Sequence, residues 1–512
     1  MTHEVEQWNR VEVVLRSSAR YEHPDTDVRV SAVFTGPSGA TIALPGFWDG
    51  GDVWKVRFAP TEVGLWSYAV TSNSDIAETG EIRAVPYSGE LDIYRHGFVR
   101  VSERAFEHAD GTPFFWLGNT HWQAPNYERL DASNHPRIAG DSQFRITADH
   151  DRELGFTVYQ TYPDAALNDG GGNVSRVNWW TEDFTNLNPQ AFTEQFDVMM
   201  DYLADHGTVI ALGLGVHTET GRIGAEALSH FARYVTARYA AHPIAWITGQ
   251  EVDIENEYAS RDTWRAAART IAENDGYHHP LGAHMYSVGE PKTFGEEPWH
   301  TWFPTQGGHE EVRSQQHYKS YWDFEPRKPF LETEANYEGI WSVPPDAPRQ
   351  SAWKALLCGS YGYTYGVAGV WAIKWDYDVP GWDDFQNGTP WFDGLDRPGG
   401  VQMGIVRRFF EGLGDWQRLV PTFGDPAYGS FAAPEESVLA TYGNVTYVAY
   451  FYGAGLETGA LAGMDPAKAY TATWFNPRAE EYVPIGAAVP EGGSWVVPPK
   501  PDTEDWVLLV TS

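Results

Sequence analysis

The sequence reads as an α/β protein, a (β/α)8 TIM barrel flanked by an N-terminal β-sandwich and a C-terminal small β-sandwich domain. Three observations predict this. Both ends of the chain run in short period-two apolar alternations broken by turn clusters, as antiparallel sandwiches do. The middle alternates short apolar runs with amphipathic stretches, the pattern of βα units on a parallel sheet. The length of 512 residues exceeds one ordinary core. The division expected is 1–92, 93–415 and 416–512.

In chain order, "RVEVVLRSS", "DVRVSAVFTGPSG", "ATIALPGFWDGG" and "DVWKVRFAPTEVGLWSYAVTS" give the strands of the first module. From Phe98 the character changes. "FFWLGNTHW", "LGFTVYQTYPDA", "GTVIALGLGVH" and "PIAWITGQEVD" are four apolar runs that each end on polar residues. Pro280 to His284, Phe303 to His309, Phe330 to Glu334 and Gly369 to Trp375 supply four more expected strands, which makes the barrel count. Between them, "NPQAFTEQFDVMMDYLADHG" and "GAEALSHFARYVTARYAAHP" carry apolar residues at helical spacing, and "GGVQMGIVRRFFEGLGDW" closes the barrel. After Pro421, "SVLATYG", "VTYVAYFYG", "AYTATWFNPR" and "DWVLLVTS" return to alternation.

Composition excludes several classes of function. The formal net charge of −34 repels phosphate backbones and anionic headgroups, so neither nucleic-acid nor membrane partners are expected. A single cysteine, Cys358, rules out an intrachain disulfide and a Cys-based zinc site. The opening residues show no apolar leader, so a cytoplasmic location is expected. No phosphate loop, dinucleotide fingerprint or nucleophile elbow occurs, and no cofactor is implied. Aromatics make up 15% of the chain; most belong in cores, but such flat faces also suit sugar rings.

Active-site groups of a (β/α)8 barrel sit where strands end at one face. Read in order, the strand ends here offer Asn119, His121, Trp122, Asp164, His217, Gln250, Glu251, His284, Gln306, His309, Glu334, Trp371 and Trp375. Two are singled out. Glu251 ends the fourth strand and Glu334 the seventh, on facing sides of the barrel mouth. Facing carboxyls are what glycoside hydrolysis needs: one protonates the leaving oxygen while the other attacks the anomeric carbon or activates water. The acid would need a raised pKa. Glu332 shares a pleat face with Glu334 in a straight strand and rivals it as nucleophile; Glu338 and Asp253 are lesser rivals, expected to bind substrate or support the site.

At these residues the chain resembles a family. Trp246 to Glu251 is similar to the strand-4 pattern of the retaining (β/α)8 glycosidases, with Gln250 in place of Asn, and Pro329 to Glu334 is similar to their strand-7 pattern. The closer resemblance is to the apiosidase-like glycoside hydrolases, through "FFWLGNTHW", "FPTQGGH", "KPFLETEANYEG" with its Tyr337 and Glu338, and "GSYGYTYGVAGVW". The flanking β-modules also resemble those of that family. The resemblance implies Glu251 as acid/base and Glu334 as nucleophile, and points to an exo-acting enzyme on a terminal pentose or furanose such as arabinofuranose, apiose or galactofuranose. Many relatives carry Gly-Asp where this chain has Gln250-Glu251, and small residues where it has His121.

The four strand-end histidines could bind sugar hydroxyls or, alternatively, a metal; the His-x-His expected of barrel metallohydrolases is absent, so no metal is assigned. The aromatics Trp122, Trp371 and Trp375 suit either sugar stacking or packing. The acidic loop from Trp375 holds six Asp (376, 378, 383, 384, 393 and 396) whose spacing fits no calcium loop. An inverting glycosidase and a non-catalytic sugar-binding barrel remain as alternatives. The β-modules are of a kind that often joins subunits, which leaves a homo-oligomer open.

Overall fold

The computed structural model describes residues 3–128, 130, 138, 142–165, 177–180, 186–217, 220–255, 260–286, 289–309, 312–379 and 383–512. Of these, the side chains of His3, Arg222, Ser342, Asp383 and Asp384 lie outside the description. The chain is mixed α/β. A parallel sheet forms its centre, and all-β regions lie at either end.

The N-terminal region has a five-stranded sheet, ordered His3–Glu6, Glu78–Val85, Gly64–Ser72, Val30–Thr35 and Thr41–Pro45, and a three-stranded one, ordered Val11–Arg16, Val53–Phe58 and Phe47–Trp48. Alternation sends Val13, Leu15, Val56 and Phe58 of the smaller sheet and Val30, Ala32, Phe34 and Ile82 of the larger into one shared core. Phe34 and Phe58 stack face to face between them, 4.0 Å apart.

The central sheet has seven parallel strands: β1 (Trp116–Thr120), β2 (Val158–Thr161), β3 (Val209–Leu212), β4 (Ile244–Trp246), β5 (Phe303–Gln306), β6 (Phe330–Glu334) and β7 (Gly362–Tyr365). They are ordered β4-β3-β2-β1-β7-β6-β5. Every one is buried along its whole length, as expected of a parallel sheet covered by helices. Those helices include α1 (Gln143–Leu154), α2 (Asp197–Asp205), α3 (Gly224–Tyr239), α4 (Arg261–Asn274), α5 (Gln315–Trp322), α6 (Asp346–Leu357) and α7 (Pro398–Gly412). Serine side chains at 142, 260 and 314 cap α1, α4 and α5 by accepting from the backbone three residues on.

Two strand expectations are corrected. Gly369 to Trp375 forms turns, and the strand lies earlier, at β7. Here glycine decides the position: a Cβ at Gly362 would stand 2.3 Å from the Trp116 carbonyl oxygen, so only glycine lets β7 lie against β1. Pro280 to His284 forms a single bridge, Leu281 to Trp246, rather than a regular strand. Its backbone nevertheless bonds toward both edges of the sheet: Trp246 donates to the Pro280 carbonyl and accepts from Gly282, while Thr301, just before β5, donates to the Leu281 carbonyl.

The C-terminal region builds a six-stranded and a three-stranded sheet. Along its strands the side chains split by parity. Leu439, Ala449, Trp474 and Leu508 enter the region's own core, while Val438, Tyr450, Phe475 and Val507 join the central one, where Trp353 of α6 meets Tyr450 and Phe475.

Two buried aspartates tie the ends to the centre. Asp197, at the start of α2, accepts from Arg57 of the N-terminal region (3.1 and 2.8 Å), from Arg238 of α3 (2.9 and 2.6 Å) and from Tyr239 (2.8 Å). Asp505 of the C-terminal region accepts from Arg349 of α6 (2.8 and 2.9 Å), from Tyr450 and from Arg478.

Candidate active site

Past β4 the backbone takes left-handed turns at two non-glycine residues, Thr248 (φ 39°) and Glu251 (φ 57°). Such conformations are costly and collect at functional sites. Between them Gly249 is forced by space, since a Cβ there would meet Trp264 at 2.5 Å. The twisted segment is pinned to the chain after β3: Gln250 donates to the Gly215 carbonyl and accepts from the His217 amide. The Gln250 and Glu251 side chains turn into one cleft.

Glu334 enters the same cleft from the end of β6. Between β5 and β6 the register slips, with Thr305 opposite Glu332 but Gln306 opposite Glu334. This bulge cancels the simple alternation and corrects the expected pairing of Glu332 with Glu334. Glu332 faces away, bound to the Gly307 amide and the Tyr318 hydroxyl of α5. Full burial pushes its pKa up to about 8. It shares the Gly307 amide with the Glu334 backbone carbonyl but touches none of the side chains around the Glu334 carboxylate.

Glu334 is nearly inaccessible; one amide bonds its carboxylate and two imidazoles stand close by. The Gln250 amide donates to both carboxylate oxygens (3.3 and 3.1 Å), and its own carbonyl accepts from Tyr162 (3.1 Å). His284 Nδ1 accepts from the Glu251 backbone N–H, and its Nε2 lies 3.4 Å from Glu334, near enough for a charge interaction but without hydrogen-bond geometry. Burial keeps the pKa of this ring below the usual value, although Glu334 and Glu251 both pull it up. On the other side His309 spends its Nδ1 proton on the Ala335 carbonyl and brings Nε2 to 3.3 Å from Glu334.

Glu251 is tied more loosely, to the Gln306 amide (3.1 Å) and to His217 Nδ1 (3.2 Å). Burial alone would raise its pKa; the His217 and Gln306 bonds and the nearby His284 outweigh it and hold the carboxyl below the usual range. The resting cleft therefore differs from the expectation of a raised acid. Both glutamates also reinforce the burial that pushes up the Tyr162 and Tyr337 phenols, so the two charges share one enclosure.

His217, Gln250, Glu251, His284, Gln306, His309, Glu334 and Tyr337 thus come together. Trp122 lies beneath them and is fully buried, donating to the Tyr337 hydroxyl and setting its ring edge-on to His284. It can offer no face to a sugar, which corrects the stacking option. Asn119 and His121 are corrected too. Thr120 occupies the inward position of β1, accepting from Tyr337, so its neighbours point outward to α1. There Asn119 and His121 bind Asp151, and His121 reaches Glu128 and stacks on Tyr159. Burial opposes its charge, but the two carboxylates raise its pKa to about 9.

Glu338 also faces away, accepting from the Tyr365 hydroxyl and the Gly399 amide. Asp164 accepts from Thr220. Trp371 packs beside Tyr337 and Phe385, whereas Trp375 belongs to a satellite cluster with Tyr127, Ile373 and Trp391. The sequence reading missed Tyr162, which orients Gln250, and Trp341, which stands with Phe385 beside His309. An aromatic directly after β2 was the available signal for Tyr162; Trp341 lies in the short helical turn Ile340–Ser342, which carries none.

No helix of the described residues is long and apolar enough to cross a membrane. Among curated proteins none matches this chain. Among solved structures it is similar over its full length to a Bacteroides vulgatus protein described as a "putative glycoside hydrolase" (20% identity, 100% of each chain, TM-score 0.77). A family 5 glycoside hydrolase from the same organism matches at 17% identity and TM-score 0.67, over 83% of this chain and 95% of that one. These likenesses support the fold. Residues 4–73 and 429–511 match families described as a "domain of unknown function" and a "putative collagen-binding domain of a collagenase". Residues 101–417, more than half of the chain and the part that carries both cleft glutamates, match the model of the apiosidase-like catalytic domain. The chain therefore belongs to the apiosidase-like family and is a glycoside hydrolase.

Proposed function

We propose that the enzyme is a retaining, exo-acting glycoside hydrolase that releases a terminal sugar, a pentose or furanose, by double displacement. One observation supports the assignment of roles: His284 stands between the two cleft glutamates, accepting from the Glu251 backbone N–H and bringing Nε2 within 3.4 Å of the Glu334 carboxylate. In the first step a Glu334 oxygen attacks the anomeric carbon. The glycosidic C–O bond breaks, and its oxygen takes the proton of Glu251. In the second step Glu251 takes a proton from water, whose oxygen attacks the same carbon and frees Glu334.

The surroundings suit these roles. Glu334 is held by Gln250, a neutral donor that steadies a carboxylate without cancelling its charge, with His284 close by. In the resting cleft Glu251 lies 3.2 Å from His217 Nδ1 and its carboxyl is held below the usual range. A bound sugar displaces water, and the added desolvation favours the protonated carboxyl. Loss of the Glu334 charge in the glycosyl-enzyme then favours release of that proton, as the second step requires. The near-complete enclosure of Glu334, over a floor of Trp122 and Tyr337, suits a small terminal residue.

We read the architecture as a closed (β/α)8 barrel, with 280–285 bridging the sheet edges, between two β-sandwiches divided near residues 92 and 416; the bonds of Trp246 and Thr301 to this segment support that reading. The test is a panel of aryl pentosides and furanosides of both anomers, with NMR of the first-formed product, run beside Glu251→Gln and Glu334→Gln. Turnover of one sugar with retained configuration, abolished in both variants, is expected. Turnover that survives in both would overturn the assignment, and an inverted product would make Glu334 or Glu251 a base for water.

A further inference from the structure

We infer that Trp341 forms a second sugar-binding position at the rim of the cleft, where its indole face takes the pyranose ring of the leaving group. The inference rests on the proposed roles of Glu251 and Glu334. Among the strongly exposed large hydrophobic side chains of the described residues, Trp341 is the only tryptophan, at 49% exposure. An indole left this open contributes little burial to the fold.

Its backbone makes the placement harder to explain by packing. Trp341 adopts φ 40° and ψ 32°, a left-handed conformation that is a true outlier for a bulky residue. The turn is fixed at both ends. The Gly339 amide donates to the Val343 carbonyl, and Asn387, from the following loop, donates to the Gly339 carbonyl. Strain of this kind persists where neighbouring structure imposes it and tends to mark ligand clamps.

The location then names the ligand. Trp341 stands 6.0 Å from the His309 ring, whose Nε2 reaches Glu334, and Phe385 braces it from behind at 4.2 Å. Glu334 is 2% exposed, so the reacting sugar fills the enclosed floor. A half-open face at the rim lies one residue further out. A flat apolar indole matches the C–H face of a pyranose, with the hydroxyls left to water. The natural leaving group is therefore a sugar, and the substrate an oligosaccharide or glycan rather than the glycoside of a simple alcohol.

The experiment compares two substrates of the terminal sugar that the panel identifies: its disaccharide to a pyranose, and its glycosyl fluoride, which has no aglycone to stack. Trp341→Ala is expected to lower kcat/KM for the disaccharide at least tenfold, mainly through KM, and to leave the fluoride within threefold. Equal losses on both substrates, or no loss on either, would overturn the inference. Trp341→Gly separates binding from scaffolding, because glycine relieves the left-handed strain. An unchanged or raised Tm with the same KM defect supports a binding role. A lowered Tm with normal KM assigns the ring to the scaffold and ends the proposal. Glu334→Gln, assayed on the fluoride, keeps the outcomes apart: if it stays active the site reading itself fails, whatever Trp341 does.

Discussion

Asp197 and Glu334 are both buried carboxylates, and they are wrapped in opposite ways. Asp197, at the seam between the N-terminal region and the centre, receives two guanidinium groups and a phenol. Burial opposes its charge, yet the two arginines drive its pKa far below the usual range. Asp505 repeats the arrangement at the C-terminal seam, between Arg349 and Arg478. Glu334 receives one neutral amide and the edges of two imidazoles, all at 3.1 to 3.4 Å. A carboxylate enclosed by permanent cations is committed to the fold. One steadied by weaker donors keeps the electron density an electrophile can use.

The comparison breaks if the two residues can trade roles. Glu334→Gln is expected to lower kcat by about 10⁴-fold or more, equivalent to about 5.5 kcal/mol of barrier, with Tm nearly unchanged; kinetics and thermal unfolding on one preparation check both. Asp197→Asn should do the reverse. It strands two buried arginines and is expected to cost about 3–5 kcal/mol of stability in denaturant unfolding, with kcat per folded molecule intact. Replacing Arg57, Asp197 and Arg238 together by apolar residues of similar volume should cost far less than the single change.

Two smaller effects sharpen the contrast. Gln250→Leu removes the amide from Glu334 and leaves Tyr162 without its acceptor. A loss of about 10- to 100-fold in kcat/KM is expected, about 1.4–2.7 kcal/mol. Glu332 supplies the last case, a carboxyl with no cation bonded to it. In the unfolded chain it ionises near the ordinary glutamate value, while in the fold it keeps its proton up to about pH 8. The unfolded chain therefore binds fewer protons across that window, and stability falls as pH rises through it. Linkage gives on the order of 1 kcal/mol between pH 6 and 7, and Glu332→Gln should flatten that slope in urea titrations.

Much of this arrangement was legible in the sequence. Apolar runs that end on His217, Glu251, Gln306 and Glu334 already marked the cleft, because a buried parallel strand is apolar along its length and has polar residues only where it leaves the core. Three things were hidden for separate reasons. Counting by twos assumes an unbroken pleat, so it paired Glu332 with Glu334 and missed the bulge. A polar residue at a strand end looks the same whether it faces the cleft or the helices, so His121 was misplaced until α1 supplied Asp151. The position of β7 was set by contact between Gly362 and Trp116, and no local periodicity records a close approach between residues so far apart in the chain.

The two aspartate seams bear on how such a gene can be inherited. Each splits one cluster of charge between segments of the chain, with Arg57 on one side and Asp197 and Arg238 on the other, then Arg349 facing Asp505. A recombination event that exchanged either end for an unrelated β-module would deliver a central α/β region with orphaned buried charges. The three segments are therefore expected to descend together, as one lineage rather than as interchangeable cassettes.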